Sequence, residues 1–393
     1  MHTLTGRGRI LIVSGVAGVA TGWAFREPAI TAVAALLILL PTIGAISVRR
    51  SRFAIGSARV VTPTRITVGG TADVALTVEN GSRFTSGLLM LEDSVPDALG
   101  SASRVLLDRI PPGAQRSQHY SIQGRERGRA HVGPLSVVIT DPFGTASITR
   151  SFTSTSTVMV VPEIIALGSG GATMSPGGHN DTMFRALAAR GDDDLLPREH
   201  RPGDDIRHIH WRATARHGEL MVRREEQAWH AAVTVVLDDR ISAHHGTGSA
   251  STFEWAVSAS ASVAMHFLRD GWRVVVLTTS GRVLAQAQHA SSAGTDHVLQ
   301  AFADIRPIQS AMVPDLGLDS DGAAAVVAVL GRLTNDEAQS ISRPVAGFAA
   351  CLLLEPGPDA HLRSQGWRVS PWHRATPVAE AWHRIATPAG AVR

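Results

Sequence analysis

The sequence predicts a multidomain chain: an N-terminal transmembrane helical hairpin, an all-β sandwich of the immunoglobulin-like kind, then an α/β domain. Three observations predict it. Two uncharged apolar runs fill most of the first fifty residues. Short, β-branched, alternating runs follow from Ile55 to Ile165, and strand-like runs alternate with helical periods beyond Ala231. At 393 residues the chain is long enough for several units, since single cores rarely grow past ~250 residues.

The first element rests on "ILIVSGVAGVATGWAF" (Ile10 to Phe25) and "PAITAVAALLILLPTIGAISV" (Pro28 to Val48), separated only by Arg26 and Glu27. At ~1.5 Å per residue the second run crosses a ~30 Å hydrocarbon layer, and Trp23 is placed as an interfacial anchor of the slightly shorter first. A second span follows at once, so a hairpin is expected rather than a cleaved signal peptide. Arg7 and Arg9 precede the hairpin, and Arg49, Arg50 and Arg52 follow it. Positive charge favours the cytoplasmic side, so the expected location is the cell membrane, with two helices and the soluble domains cytoplasmic.

The second element is read from runs such as "ADVALTVEN", "GLLMLED" and "LSVVITDPFG", broken by Gly, Pro, Asn and Asp, which predict an antiparallel sandwich. The stretch "DPFG" (Asp141 to Gly144) is turn chemistry, so Asp141 is read as a turn residue rather than a catalytic acid. "LGSGGATMSPGGHND" (Leu167 to Asp181) has the composition of a flexible connection and lacks the Gly-Lys-Ser/Thr ending of a phosphate loop.

The third element begins at "AAVTVVLDD", a buried strand. A helix from Thr252 to Arg269 places Phe253, Ala256, Val257, Val263, Ala264 and Phe267 on one stripe, and Gly271 closes it. "WRVVVLTTSGRVLAQAQ" predicts two strands around a Ser-Gly turn. A helix near "HVLQAFADI", the strand "AAAVVAVLG", a helix at "TNDEAQSIS" and the strand "GFAACLLLE" continue the alternation, which means a mainly parallel sheet covered on both faces. The expected boundaries are 1–52 for the hairpin, 53–166 for the sandwich, 167–182 for the linker, 183–229 for an arginine- and histidine-rich segment, and 230–393 for the α/β domain.

Composition removes several function classes. The pI near 10.1 overstates basicity: the formal net charge is only +3, and with no lysine, one tyrosine and one cysteine, little titrates between histidine and arginine. Nucleic acid is therefore not an expected partner. The absence of lysine excludes a P-loop lysine, a Schiff base and a lysine general base. Cys351, alone inside "AACLLLE", excludes a disulfide framework and is read as a core residue.

The segment "PREHRPGDDIRHIHWRATARHGELMVRR" (197–224) stands apart. Its arginines with Trp211 suggest a nucleic-acid grip, but Glu199, Asp204, Asp205 and Glu219 break the basic stripe. His208 and His210, two apart, share one face of a strand and with Asp204 and Asp205 outline a metal-dependent hydrolase. Asp205 with either histidine, and Thr214 as nucleophile, outlines acid/base chemistry, though no nucleophile motif accompanies it. The architectural reading explains most residue types: Pro202-Gly203 turns, Asp204 and Asp205 accept from amides or pair with Arg207 and Arg216, Trp211 and Ile209 dock, and the remaining cations face a partner.

The same segment resembles the signature of the bacterial family catalogued as domain of unknown function 58, through Arg198, Glu199, Pro202, Gly203, Asp204, Asp205, Arg207, Ile209, His210, Trp211, Ala215 and Arg216. His200 departs from it, standing where the family usually has tyrosine. A membrane hairpin and a sandwich ending in Gly-Pro-Leu (Gly133 to Leu135) and Asp-Pro-Phe-Gly are similar to that family too. The resemblance implies a von Willebrand factor A-like α/β domain of Rossmann type, and as partners a MoxR-type AAA ATPase and a transglutaminase-like membrane protein. Such domains often hold Mg²⁺ in an Asp-x-Ser-x-Ser loop. The corresponding residues are Asp238, Arg240 and Ser242: the central serine is an arginine, and no acidic residue is expected after "AAAVVAVLG" to complete the site. A degenerate loop without metal or other cofactor is expected. The resulting expectation is a membrane-anchored adaptor or scaffold rather than an enzyme, with the signature residues serving docking or structure.

Overall fold

The computed structural model describes residues 4–51, 55–83, 85–86, 88–101, 103–168, 198–199, 214–216, 218–219, 221–222, 232–288, 291–309, 313, 316, 325–341, 348–354 and 357–386. The chain divides into two units, Met1–Val161 and Pro162–Arg393.

In the first unit, α1 (Gly6–Phe25) and α2 (Pro28–Ser51) form an antiparallel pair. Both are long and apolar enough to cross a membrane. Arg26 closes α1 in the left-handed conformation with φ 53°, and Pro28 starts α2, where its missing N–H costs nothing. Small residues set the approach. A Cβ on Gly15 would stand 2.8 Å from the Ala34 carbonyl oxygen, and one on Gly22 would stand 2.5 Å from the Thr31 hydroxyl, so glycine lets the helices pack backbone to backbone.

Among the described residues, ten strands follow: β1 (Ile55–Thr62), β2 (Arg65–Thr67), β3 (Thr71–Asn80), β4 (Leu88–Asp93), β5 (Ser103–Leu107), β6 (Gln115–Gln123), β7 (Gly128–Val132), β8 (Leu135–Thr140), β9 (Ser147–Ser151) and β10 (Ser156–Val161). They hydrogen-bond in the orders β1-β3-β6, β2-β10-β7 and β5-β4-β8-β9. Period-two patterning selects the inner face: Val74, Leu76 and Val78 of β3 join Leu89, Leu91, Val137 and Ile139 in one core. The expected antiparallel arrangement holds for the other pairings and is corrected at one place, because β10 pairs β2 in parallel, Met159 against Arg65 through Val161 against Thr67. A pairing between segments so far apart in sequence leaves no local mark.

The expected sandwich limit at residue 166 also moves, since the last strand ends at Val161. In the second unit the Glu163 carbonyl accepts from Ser258 Oγ at 2.6 Å, the Ile165 amide donates to Ser262 Oγ at 2.9 Å, and Leu167 is buried. The start of the expected linker thus belongs to the α/β unit; positions 169–182 lie outside the described residues.

The second unit contains the short pair β11 (Arg198–Glu199) and β12 (Met221–Val222), then β13 (Ala232–Leu237), α3 (Thr252–Arg269), β14 (Arg273–Thr278), β15 (Val283–Ala287), α4 (Ser292–Asp304), β16 (Ala325–Leu330), α5 (Asn335–Ile341), β17 (Phe348–Leu354), α6 (Asp359–Ser364), β18 (Arg368–Trp372) and α7 (Val378–Ala386). The main sheet runs β15-β14-β13-β16-β17-β18, parallel except for β15. Its central strands read as unbroken apolar runs, "AVVAVL" and "FAACLLL", fully buried as a sheet covered on both faces requires. Ile341 of α5 and Leu362 of α6 pack with Val236, Val326 and Cys351, whereas α3 meets α7 through the edge-on rings of Phe267 and Trp382. Ser251 caps α3 by accepting from the Glu254 amide, and Gly271 beyond its end has φ +84°.

Candidate functional site at the carboxyl end of the parallel sheet

Strand β13 has β14 on one side and β16 on the other, so the order of the sheet reverses there. In open α/β sheets such a reversal opens a crevice at the carboxyl ends of the strands, the usual place for a ligand. Three loops supply it here: Asp238-Asp239-Arg240 after β13, Thr279-Ser280 after β14, and Gly331-Arg332 after β16.

Arg240 fills the crevice. Its guanidinium sits on Asp238, with Nε 2.9 Å from Oδ1 and Nη2 2.8 Å from Oδ2. Nη1 donates to Glu337 Oε1, and Nη2 also reaches the Arg332 carbonyl at 3.2 Å. The side chains of Arg240 and Asp238 are 2% and 0% exposed, a degree of burial that an ion pair tolerates only when its hydrogen bonds are met. Asp238 meets the rest through the Arg240 amide at 3.2 Å, the Gly331 amide at 3.1 Å and the Thr279 hydroxyl at 3.0 Å. Burial works against the charge on Arg240, but hydrogen bonds and attraction from Asp238 and then Glu337 outweigh it and raise its pKa.

Asp239 holds the neighbouring loop. Its carboxylate accepts from Ser280 Oγ at 2.8 Å and the Ser280 amide at 3.2 Å, and its carbonyl accepts from the Ile308 amide at 2.7 Å. His244 covers the far side, with Nε2 2.9 Å from the Asp238 carbonyl oxygen and Nδ1 3.3 Å from Thr252 Oγ1. Burial lowers its pKa, with Asp238 pulling the other way.

The residues do not fit a divalent cation. The oxygens of Asp238 face a guanidinium, and Ser242, the third residue of the expected loop, is exposed in a short 3-10 turn over Ile241–Ala243. Among the described residues no group of three or more His, Cys, Asp or Glu could hold a metal ion. The expectation that no acid follows β16 needs correction: Glu337 comes from the first turn of α5. Thr334 and Glu337 form a reciprocal cap, the Thr334 amide donating to Glu337 Oε2 at 2.8 Å and the Glu337 amide to Thr334 Oγ1 at 3.3 Å. "TNDE" is a capping-box sequence, a signal that locates Glu337 at a helix start pointing toward the sheet's carboxyl edge.

The arginine-rich signature is only partly described. Arg198 and Glu199 form β11, paired antiparallel with Val222 and Met221, so the two ends of the 197–224 segment are joined. Ala215 and Arg216 lie exposed in a helical turn closed by the Gly218 amide on the Thr214 carbonyl at 2.9 Å. Pro202, Gly203, Asp204, Asp205, Arg207, His208, Ile209, His210 and Trp211 lie outside the described residues.

Residues 197–343 match a family model. The family is "Protein of unknown function DUF58". The DUF58 match takes in the signature, the Asp238–Arg240 loop and Glu337, so both the guanidinium and its two carboxylates fall inside it. No curated protein matches the chain. Among solved structures, the CARDB domain of the PF1109 protein from Pyrococcus furiosus is similar at 13% identity and TM-score 0.21, over 28% of this chain and 94% of that one. The putative ApaA protein from Bordetella pertussis is similar at 6% identity and TM-score 0.21, over 27% and 91%. The Pseudomonas fluorescens alkylpurine DNA glycosylase AlkC is similar at 18% identity and TM-score 0.17, over 34% and 41%.

Proposed function

We propose that the protein is a membrane-anchored adaptor or scaffold without enzymatic activity, whose α/β domain is a degenerate von Willebrand factor A-like module facing the cytoplasm. The observation that carries this reading is Arg240 seated between Asp238 and Glu337: the crevice in which such sheets hold ligands is filled by the chain itself. Function then falls to surfaces, and the signature from Arg198 to Arg216 supplies cations whose planar forks suit carboxylates on a partner. The partner we propose, from the resemblance, is a MoxR-type AAA ATPase or its client, with a transglutaminase-like membrane protein as a further associate in envelope-related assembly. The two apolar helices supply the anchor.

The test is binding of a purified MoxR-type ATPase from the same cells to the full chain in detergent. Wild type is expected to bind, and a folded Arg207→Ala, Trp211→Ala double variant is expected to lose binding. A folded double variant that binds as wild type does would overturn the docking surface.

A further inference from the structure

We infer that the Asp141–Gly144 turn is a membrane-contact element: Phe143 enters the headgroup layer of the phospholipid bilayer and seats the β-sandwich on the membrane surface. This rests on the reading that α1 and α2 span the bilayer. The turn is built to be rigid. The Asp141 carboxylate accepts from the Phe143 amide at 3.1 Å, the Thr145 hydroxyl at 3.1 Å and the Ala146 amide at 2.6 Å. Gly144 closes it with φ +69°, its amide donating to the Asp141 carbonyl at 3.0 Å.

One side of this turn is docked on the helices. Thr5, the N-cap of α1, donates its hydroxyl to the Gly144 carbonyl at 2.7 Å and its amide to the Thr145 carbonyl at 3.0 Å. On α2, a Cβ at Gly44 would stand 2.8 Å from Thr145 Oγ1 and 2.9 Å from Asp141 Oδ2; on α1, one at Gly8 would stand 2.0 Å from the Thr145 carbonyl oxygen. The contact therefore fixes the turn's depth along the hairpin. At ~1.5 Å per residue, Gly8 lies about 27 Å from Arg26, and Gly44 about 24 Å from Pro28. With the Arg26–Glu27 turn in one headgroup layer, the Asp141–Gly144 turn reaches the boundary of the opposite one, given a hydrocarbon core of ~30 Å.

The tip carries the chemistry of that boundary. Phe143 is 60% exposed, a large aromatic ring left in the open beside a carboxylate, Asp141, that is buried and hydrogen-bonded within the turn. Arg7 and Arg9, both exposed, lie on the first turn of α1 at the same level, and exposed Arg49 lies beyond Gly44 on α2, placed for lipid phosphates. Trp23 and Phe25, 84% and 74% exposed, mark the far end of the hairpin, so aromatic rings stand at both boundaries.

The test uses the full chain in vesicles of phosphatidylethanolamine and phosphatidylglycerol. Cys351 is fully buried, so an environment-sensitive fluorophore reports from one introduced cysteine at a time: Phe143→Cys, Val16→Cys in the exposed middle of α1, or Asp97→Cys beyond the end of β4 far from the turn. Lipids carrying a spin label just below the headgroup are expected to quench position 143 at least about twofold more than position 97, and chain-end labels to quench position 16. Equal, water-like behaviour at 143 and 97 with position 16 quenched would overturn the contact and leave the span intact. Failure to quench position 16 would overturn the span, and this inference with it.

Discussion

The guanidinium of Arg240 pairs with the carboxylate of Asp238, two residues away, through two hydrogen bonds of 2.9 and 2.8 Å. The charge that a metal ion would bring to this loop is supplied by the chain. Asp238 is thereby spent on structure, and with Glu337 it ties the ends of β13 and β16 to the start of α5.

Breaking this pair by removing one partner leaves a buried, unmatched charge, which costs about 3–5 kcal/mol. Arg240→Met in the full chain is expected to lower the unfolding midpoint of the second unit accordingly. Glu337→Gln, at a half-buried position with a hydrogen bond still available, is expected to cost about 1–2 kcal/mol. Denaturant unfolding followed by tryptophan fluorescence ranks the two variants, and equal effects would contradict the geometry.

Acid should weaken the same region. Burial lowers the pKa of His244 from its ordinary 6.5 even though Asp238 pulls it upward, and Arg240 and His245 lower it further. The unfolded chain then takes up a proton that the native state declines. Stability is full above about pH 6.5 and is lost as pH falls through the lowered native value. His266, lowered by burial against the pull of Asp270, acts in the same sense. Melting curves between about pH 8 and about pH 5 are expected to fall on the acid side, with a shallower fall in His244→Asn.

A second buried pair clamps the sheet-rich body of the first unit. Arg59 Nη2 and Nε donate to Asp93 at 2.5 and 3.0 Å, and the Tyr120 hydroxyl donates to Asp93 Oδ2 at 2.6 Å, joining β1, β4 and β6. Asp93→Ala is expected to cost about 3–5 kcal/mol by stranding Arg59. Burial, then Asp93, raises the pKa of Tyr120 from its ordinary 10.0, so its contribution is full below about pH 10 and is lost as pH rises further. An alkaline titration of phenolate absorbance is expected to show ionisation of this single tyrosine only on unfolding.

Close approach of the helical hairpin and the sheet-rich body depends on missing side chains. Gly8→Val would drive a Cβ to 2.0 Å from the Thr145 carbonyl oxygen, so the β8–β9 turn must lift off α1. Protease cleavage at the Asp141–Gly144 turn is expected to accelerate in Gly8→Val and to stay slow in Gly6→Ala, where nothing stands within 4 Å of the new methyl.

Local patterns were legible in the sequence, and long-range pairings were not. The apolar runs gave α1 and α2, and period-two alternation gave strands such as β3. "TTSG" gave the turn between β14 and β15, because each is decided by neighbours a few residues apart. The parallel pairing of β10 with β2 and the docking of Glu163 and Ile165 on α3 depend on segments about a hundred residues away. So does the reach of Glu337 to Arg240. The capping box at Thr334 was the one local trace of the last of these. Of the signature read as a docking surface, the structure describes Arg198 and Glu199 in a strand pair and Ala215 and Arg216 in an exposed turn.

Arg240 takes the place of a cation and closes the crevice to ligands of that kind. Calorimetric titration of Mg²⁺ into the full wild-type chain in detergent tests it most directly. No binding heat and an unchanged unfolding midpoint are predicted; uptake of one Mg²⁺ per chain, with stabilisation lost on Asp238→Asn, would contradict it.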